Sequence, residues 1–244
     1  MNQLPSSAHA AEHDFRDGLA YRLWLPESDP PWPGIVIVHG AGSCKENHAD
    51  FARLAADFGW AALAYDQRGH GESLGEMAPG AITDAIGMAR LLADREGVDP
   101  TRLCVRGSSI GCFVAIHAAA VSDAIAAVIA ICPSGERMLL EGLRSDPLEM
   151  RADRTALEPW LEEHDLREAV ELLGGKPLIL LHAKGDDEVP ADWSEELYER
   201  ATEPSKLILV PGGHHRSVQH DAELQTVALR WLERSLSAGP LETG

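Results

Sequence analysis

A chain of 244 residues can bury a sizeable core within one α/β domain. Its 39 acidic residues outnumber 21 basic ones, a formal net charge of −18, so its field repels phosphate and disfavours nucleic acid and anionic membranes as partners. No apolar run is long enough to span a bilayer, residues 1–12 lack the basic start and apolar run of a secretory leader, and Cys44, Cys104, Cys112 and Cys132 form no C-x-x-C pair; the expectation is a cytoplasmic protein with reduced thiols.

Residues 19–25 alternate as a half-exposed edge strand does. Pro30-Pro-Trp-Pro33 breaks the chain, and residues 34–39 form a short β-branched run typical of a strand buried on both faces. Residues 47–58 read as an amphipathic helix with Phe51, Leu54, Ala55 and Phe58 on one side, starting from a solvated Lys45-Glu46. Residues 60–65 read as a strand and 79–95 as a helix. A strand at 102–106 then runs through Gly107-Ser-Ser-Ile-Gly111 into a helix at 110–121. Residues 124–131 give another strand, ended by Cys132-Pro133; Cys44 and Cys132 both fall near strand ends, where a pocket would be bordered. The rhythm stops over 134–175, a charged, mostly helical insertion broken at Pro147 and Pro159. Strands at 176–182 and 205–210 and helices at 191–201 and 221–236 close the pattern, leaving a loose tail at 237–244. Such βα alternation predicts one domain over residues 1–244, a mostly parallel sheet with helices on both faces. Ligands then bind beyond the carboxyl ends of the strands.

The chemistry gathers at those ends. Gly107 to Gly111 fits G-x-S-x-G between a strand and a helix. Glycine is needed on both sides because strand and helix backbones nearly touch, and the turn pushes the Ser109 hydroxyl out at the positive end of the helix. A free serine is a poor nucleophile and needs a base, itself oriented by a carboxylate. Asp186 and Asp187 follow the strand ending at His182, and His214 and His215 follow the strand ending at Val210. The backbone N–H of Ile110, next after the serine, is a ready oxyanion donor.

The order Ser, acid, His resembles that of the α/β-hydrolase superfamily. The stretch His182-Ala-Lys-Gly-Asp186-Asp-Glu-Val-Pro190 is similar to the family's H-G-x-x-D-x-x-V-P, with Ala183 in place of glycine. The resemblance implies Asp186 as the acid, with Asp187 second. The family's G-x-x-H, counted from Gly212, implies His215 as the base, and His214 if counted one residue earlier. His39-Gly-Ala-Gly42 resembles the H-G-x-G oxyanion loop of monoglyceride-lipase-like members and implies the Ala41 N–H as the second donor. Asp66-Gln-Arg-Gly-His-Gly-Glu-Ser73 resembles the family's D-x-R-G-x-G-x-S, with a structural role: glycine turns held by local hydrogen bonds of Asp66 and Arg68.

Other readings stay plain. The remaining histidines are scattered singly, with no H-E-x-x-H, and no metal or other cofactor is expected. Gly40-x-Gly42 does not continue as a dinucleotide fingerprint, and His117 is expected to be packed within its helix. Where family members often carry a cap, the insertion at 134–175 would lie over Ser109, with Met138, Leu139, Leu143, Leu148, Met150, Leu157, Trp160 and Leu161 as candidates to face a small or medium acyl group; a surface excursion or homodimer contact is the alternative. The expected activity is hydrolysis of small-molecule carboxylic esters through an acyl-enzyme. Thioesterase, acyltransferase and peptidase activities share the same triad. Dehalogenases and epoxide hydrolases of this fold place aspartate where Ser109 stands. A non-catalytic ligand receptor on the same fold is the rival of another class.

Overall fold

The computed structural model describes residues 11–145 and 149–237; Pro147, Leu148 and the tail 238–244 lie outside the described residues. Eight strands form one sheet: β1 (Glu12–Arg16), β2 (Leu19–Trp24), β3 (Trp32–Val38), β4 (Ala61–Tyr65), β5 (Val98–Ser108), β6 (Ala127–Ile131), β7 (Leu178–Ala183) and β8 (Ser205–Val210), in the order β1-β2-β4-β3-β5-β6-β7-β8. The β1–β2 and β2–β4 pairs are antiparallel and the remaining pairs parallel. Strands β4 and β6 and most of β3 and β7 are buried throughout, which explains their unbroken apolar runs. The sequence pattern missed β1, whose five residues are all exposed and so carry no alternation.

Helices α1 (Ala49–Asp57) and α8 (Ala222–Ser237) cover one face, where Phe51 and Ala55 meet Ala228, Leu229 and Leu232. Helices α2 (Ala81–Ala93), α3 (Ile110–Val121) and α7 (Ala191–Arg200) cover the other. The insertion forms α4 (Glu136–Ser145), α5 (Arg154–Glu162) and α6 (Leu166–Glu171). Asp153 and Asp165 cap α5 and α6 by accepting from the Ala156 and Arg167 N–H groups, as short acidic side chains do at helix starts.

The insertion departs from expectation in what its apolar residues do. Leu139, Leu143, Leu157, Trp160 and Leu161 are buried in the cluster that includes α3. Trp160 packs edge-on against Phe113 rather than toward substrate. These helices extend the core beside the sheet, since an apolar stripe reports burial and not which surface buries it. His117 is packed as expected, its Nδ1 donating to the Phe113 carbonyl at 2.8 Å. Burial against Phe113 and His164 lowers its pKa to about 4. No helix among the described residues is long and apolar enough to cross a membrane.

Candidate active site

Ser109 sits between the last residue of β5 and the first of α3 with φ 55 and ψ −124, a left-handed conformation that costs a non-glycine residue about 1–3 kcal/mol. The neighbouring glycines allow it. A Cβ on Gly107 would stand 2.5 Å from the Gly111 carbonyl oxygen, and one on Gly111 would stand 2.1 Å from the Val38 carbonyl oxygen at the end of β3. The Ile110 N–H opens α3, so no carbonyl within the helix can satisfy it, while the Ile110 side chain is buried.

The candidate acid and base come together across two backbone bridges. Lys184 N–H donates to Val210 O at 2.8 Å, and Gly185 N–H donates to Gly212 O at 3.0 Å. These join the turn after β7 to the loop after β8. His215 Nδ1 then lies 2.7 Å from Asp186 Oδ2, with the carboxylate fully buried and the imidazole 8 % exposed. Asp186 Oδ1 accepts from the Glu188 and Val189 N–H groups, and Oδ2 also meets His182 Nε2 at 3.2 Å. Burial works to raise the Asp186 pKa, but the bonds from His182, His215 and Val189 override it and hold the carboxyl far below its ordinary value. Asp187 and His214 are both exposed. His214 bonds within its own loop, its Nδ1 accepting from the Arg216 N–H.

Ser109, His215 and Ala41 line one cavity of about 550 Å³. The Ser109 hydroxyl bonds not to His215 but to Ser134 Oγ, at 3.1 Å. Ser134 is buried and follows β6. Sequence reading passed over it because no motif marks the position; what brings it to Ser109 is the β5–β6 pairing. Cys132 is buried beside Asp186 and His215 but does not line the cavity, nor does Cys44. Burial first, then the Asp186 charge, pushes the Cys132 thiol up to about 12, so it stays protonated. Among the described residues, two groups bring metal-ligand atoms together, Cys132-Asp186-His215 and Cys44-Glu46-Asp66. In the first the Asp186–His215 hydrogen bond already occupies the facing atoms, and in the second the Lys45 ammonium already neutralises Asp66 and Glu46.

The loop after β3 is held by a buried polar cluster. His39 donates from Nδ1 to Gly40 O at 2.7 Å and accepts the Gln67 N–H at Nε2 at 3.0 Å, which needs a neutral ring. Burial lowers its pKa to about 4. Lys45 is not the solvated helix start its sequence suggests. Its side chain is 1 % exposed, and Nζ reaches Asp66 Oδ2 at 2.8 Å and Glu72 Oε2 at 2.5 Å. Asp66 also accepts the Lys45 and Glu72 N–H groups. Gly71 is required beside it, since a Cβ there would stand 2.1 Å from Asp66 Oδ2. The segment at 66–73 is therefore structural, as its resemblance implies, but it braces the Ala41 loop over a distance, and Arg68 reaches Asp84 on α2.

Residues 29–146 match the family described as Hydrolase_4, serine aminopeptidase S33. The uncharacterized protein YfhR of Escherichia coli strain K12 is 27% identical over 227 residues, covering 86% of this chain and 74% of that one. Among solved structures, the alpha/beta hydrolase GrgF from Penicillium sp. sh18 superposes with a TM-score of 0.77 at 20% identity, over 93% of this chain and 99% of that one. The esterase domain of a Rhodothermus marinus protein gives 0.71 at 21% identity, over 88% and 92%.

Proposed function

We propose that this chain, which has the α/β-hydrolase fold and matches the Hydrolase_4 family over residues 29–146, is a serine hydrolase of carboxylic esters. One observation carries the reading: a serine on a strained strand-to-helix turn shares a cavity with an imidazole whose far nitrogen is bonded to a buried carboxylate. In this account Asp186 fixes the His215 tautomer with the proton on Nδ1, leaving Nε2 free to take the Ser109 proton. Ser109 Oγ attacks the ester carbonyl as its proton passes to His215. The Ile110 and Ala41 N–H groups hold the oxyanion. Collapse expels the alcohol, which leaves with the proton from His215. Water, deprotonated by the same imidazole, then cleaves the acyl-enzyme and restores Ser109.

Fluorophosphonate labelling and p-nitrophenyl acetate turnover test it. The wild type labels and turns over, and Ser109→Ala does neither while keeping its circular dichroism spectrum and melting temperature. Undiminished turnover in that variant would remove the assignment. Parallel assays with a thioester and a peptide anilide separate the esterase reading from thioesterase and peptidase activities.

A further inference from the structure

The cavity beside Ser109 is lined mostly by residues with hydrogen-bonding side chains. Among the described residues lining it, only Ala41 has an apolar side chain. Its lining includes Ser43, Asn47, Ser108, Gln219 and His220, and Arg106 and His48 join the segment of Ser43 and Asn47 to that of Gln219 and His220, a shared wall. The carboxamides and hydroxyls each offer both donor and acceptor.

This wall is anchored from below by an unusual group. Arg106 lies on β5, three residues before Ser109, and is fully buried. Among the described residues no carboxylate is in ion-pair contact with it, and the Asp50 charge nearby only partly offsets its burial. Its donors go to neutral acceptors: Nη2 to Gln219 O at 2.8 Å, Nη1 toward His48 Nδ1 at 3.3 Å and Nε to Gln225 Oε1 at 3.0 Å. His48 Nε2 is in turn 3.3 Å from Ser43 Oγ, which accepts from Asn47 Nδ2 at 3.3 Å. Burying a guanidinium without a counter-ion is costly. Here the cation ties together the two segments that carry the wall, as a rigid support for a binding site requires.

Two more observations point to the occupant. Ser108 borders the cavity, and its buried hydroxyl, with no partner among the described residues, leaves a polar group at the cavity's edge. Glu149 and Glu188 bring carboxylates to the same cavity, and Arg216 lies 3.6 Å from Glu149. That balance disfavours an anionic ligand.

Resting on the serine-hydrolase reading, we propose that this wall binds the alcohol half of the ester, and that this alcohol is neutral and rich in hydroxyls, of the order of a single sugar ring. The side is set by chemistry. His215 must hand its proton to the departing oxygen, so the leaving group lies on the His215 side, and Gln219 and His220 stand four and five residues after His215 in the same loop. The cavity of about 550 Å³ is within the usual range for a small organic ligand.

A matched pair of esters tests this: 6-O-acetylglucose and cyclohexylmethyl acetate share the acyl group and ring size and differ in hydroxyls. The wild type favours the sugar acetate in kcat/KM by about tenfold or more, and Asn47→Leu and Gln219→Leu each reduce that ratio by about five- to tenfold. The ratio is read within each folded variant, and the wild-type value needs no variant at all. A wild-type ratio at or below one, with p-nitrophenyl acetate still hydrolysed, overturns the subsite and leaves the esterase reading standing. A ratio unchanged in both folded variants also overturns it. Turnover of none of the three esters removes both.

Discussion

Replacing Lys45 by methionine removes the ammonium that neutralises Asp66 while filling most of the same space. The Asp66 carboxylate is fully buried and loses its 2.8 Å bond to Nζ, keeping the Lys45 and Glu72 N–H donors at 2.8 and 2.9 Å. Removing one partner of a buried ion pair costs about 3–5 kcal/mol. The two retained backbone bonds put this case at the lower end, about 3 kcal/mol. Urea unfolding at pH 7 measures it, and pH gives a second reading. Burial pushes the Asp66 carboxyl up, but the Lys45 bonds and the Glu72 N–H override this and hold it below its ordinary value. A depressed carboxyl contributes stability that is fully present above its unfolded value, about 3.9, and lost as pH falls through the folded value. Lys45→Met raises the folded value, so the gap between wild type and variant is widest above about pH 5 and narrows toward pH 3. Lys45→Met with Asp66→Asn recovers part of the loss, because no unpaired charge remains. A loss under about 1 kcal/mol at pH 7, or a gap that does not change with pH, refutes the buried pair as the brace of the Ala41 loop.

Two other outcomes follow from the same geometry. Ser134→Ala removes the hydroxyl bonded to Ser109 Oγ, and kcat for p-nitrophenyl acetate falls about two- to tenfold with KM little changed, as one hydrogen bond would give; Ser134→Thr retains activity, and an unchanged kcat in Ser134→Ala contradicts a positioning role. His39 has a folded pKa lowered by burial to about 4, below its unfolded value, so it has no effect on stability above about pH 6.5 and destabilises the fold as pH falls from there to about 4. Between pH 7 and 4.5 the drop from this residue amounts to about 2 kcal/mol, is measured by urea unfolding across that range, and is absent in His39→Asn; equal pH slopes for the two proteins would contradict it.

Most of the sheet was legible because β3, β4, β6 and β7 are buried and must read as apolar runs. The turn at Ser109 was legible for a stricter reason: backbone crowds Gly107 and Gly111 from the helix and from β3. The choice of His215 over His214 rested only on counting G-x-x-H from Gly212. Adjacent histidines have the same composition signal, and only the pairing of Gly185 with Gly212 fixes which ring meets Asp186. Lys45 was misread because its partner lies 21 residues away on another strand end. The insertion showed an apolar stripe but not its destination, so Leu139, Leu143, Leu157, Trp160 and Leu161, assigned to the pocket, turned out to be core. Arg106, a charge inside an apolar strand, was the overlooked cue to the polar wall of the cavity.

The proposed mechanism turns on His215, oriented by Asp186, activating Ser109. Its most direct test is kcat for p-nitrophenyl acetate in His215→Ala beside His214→Ala, with both variants checked for intact folding. A loss of about 10⁴-fold or more is expected in His215→Ala, with a rate near wild type in His214→Ala. Equal losses in the two, or a larger loss in His214→Ala, would contradict it.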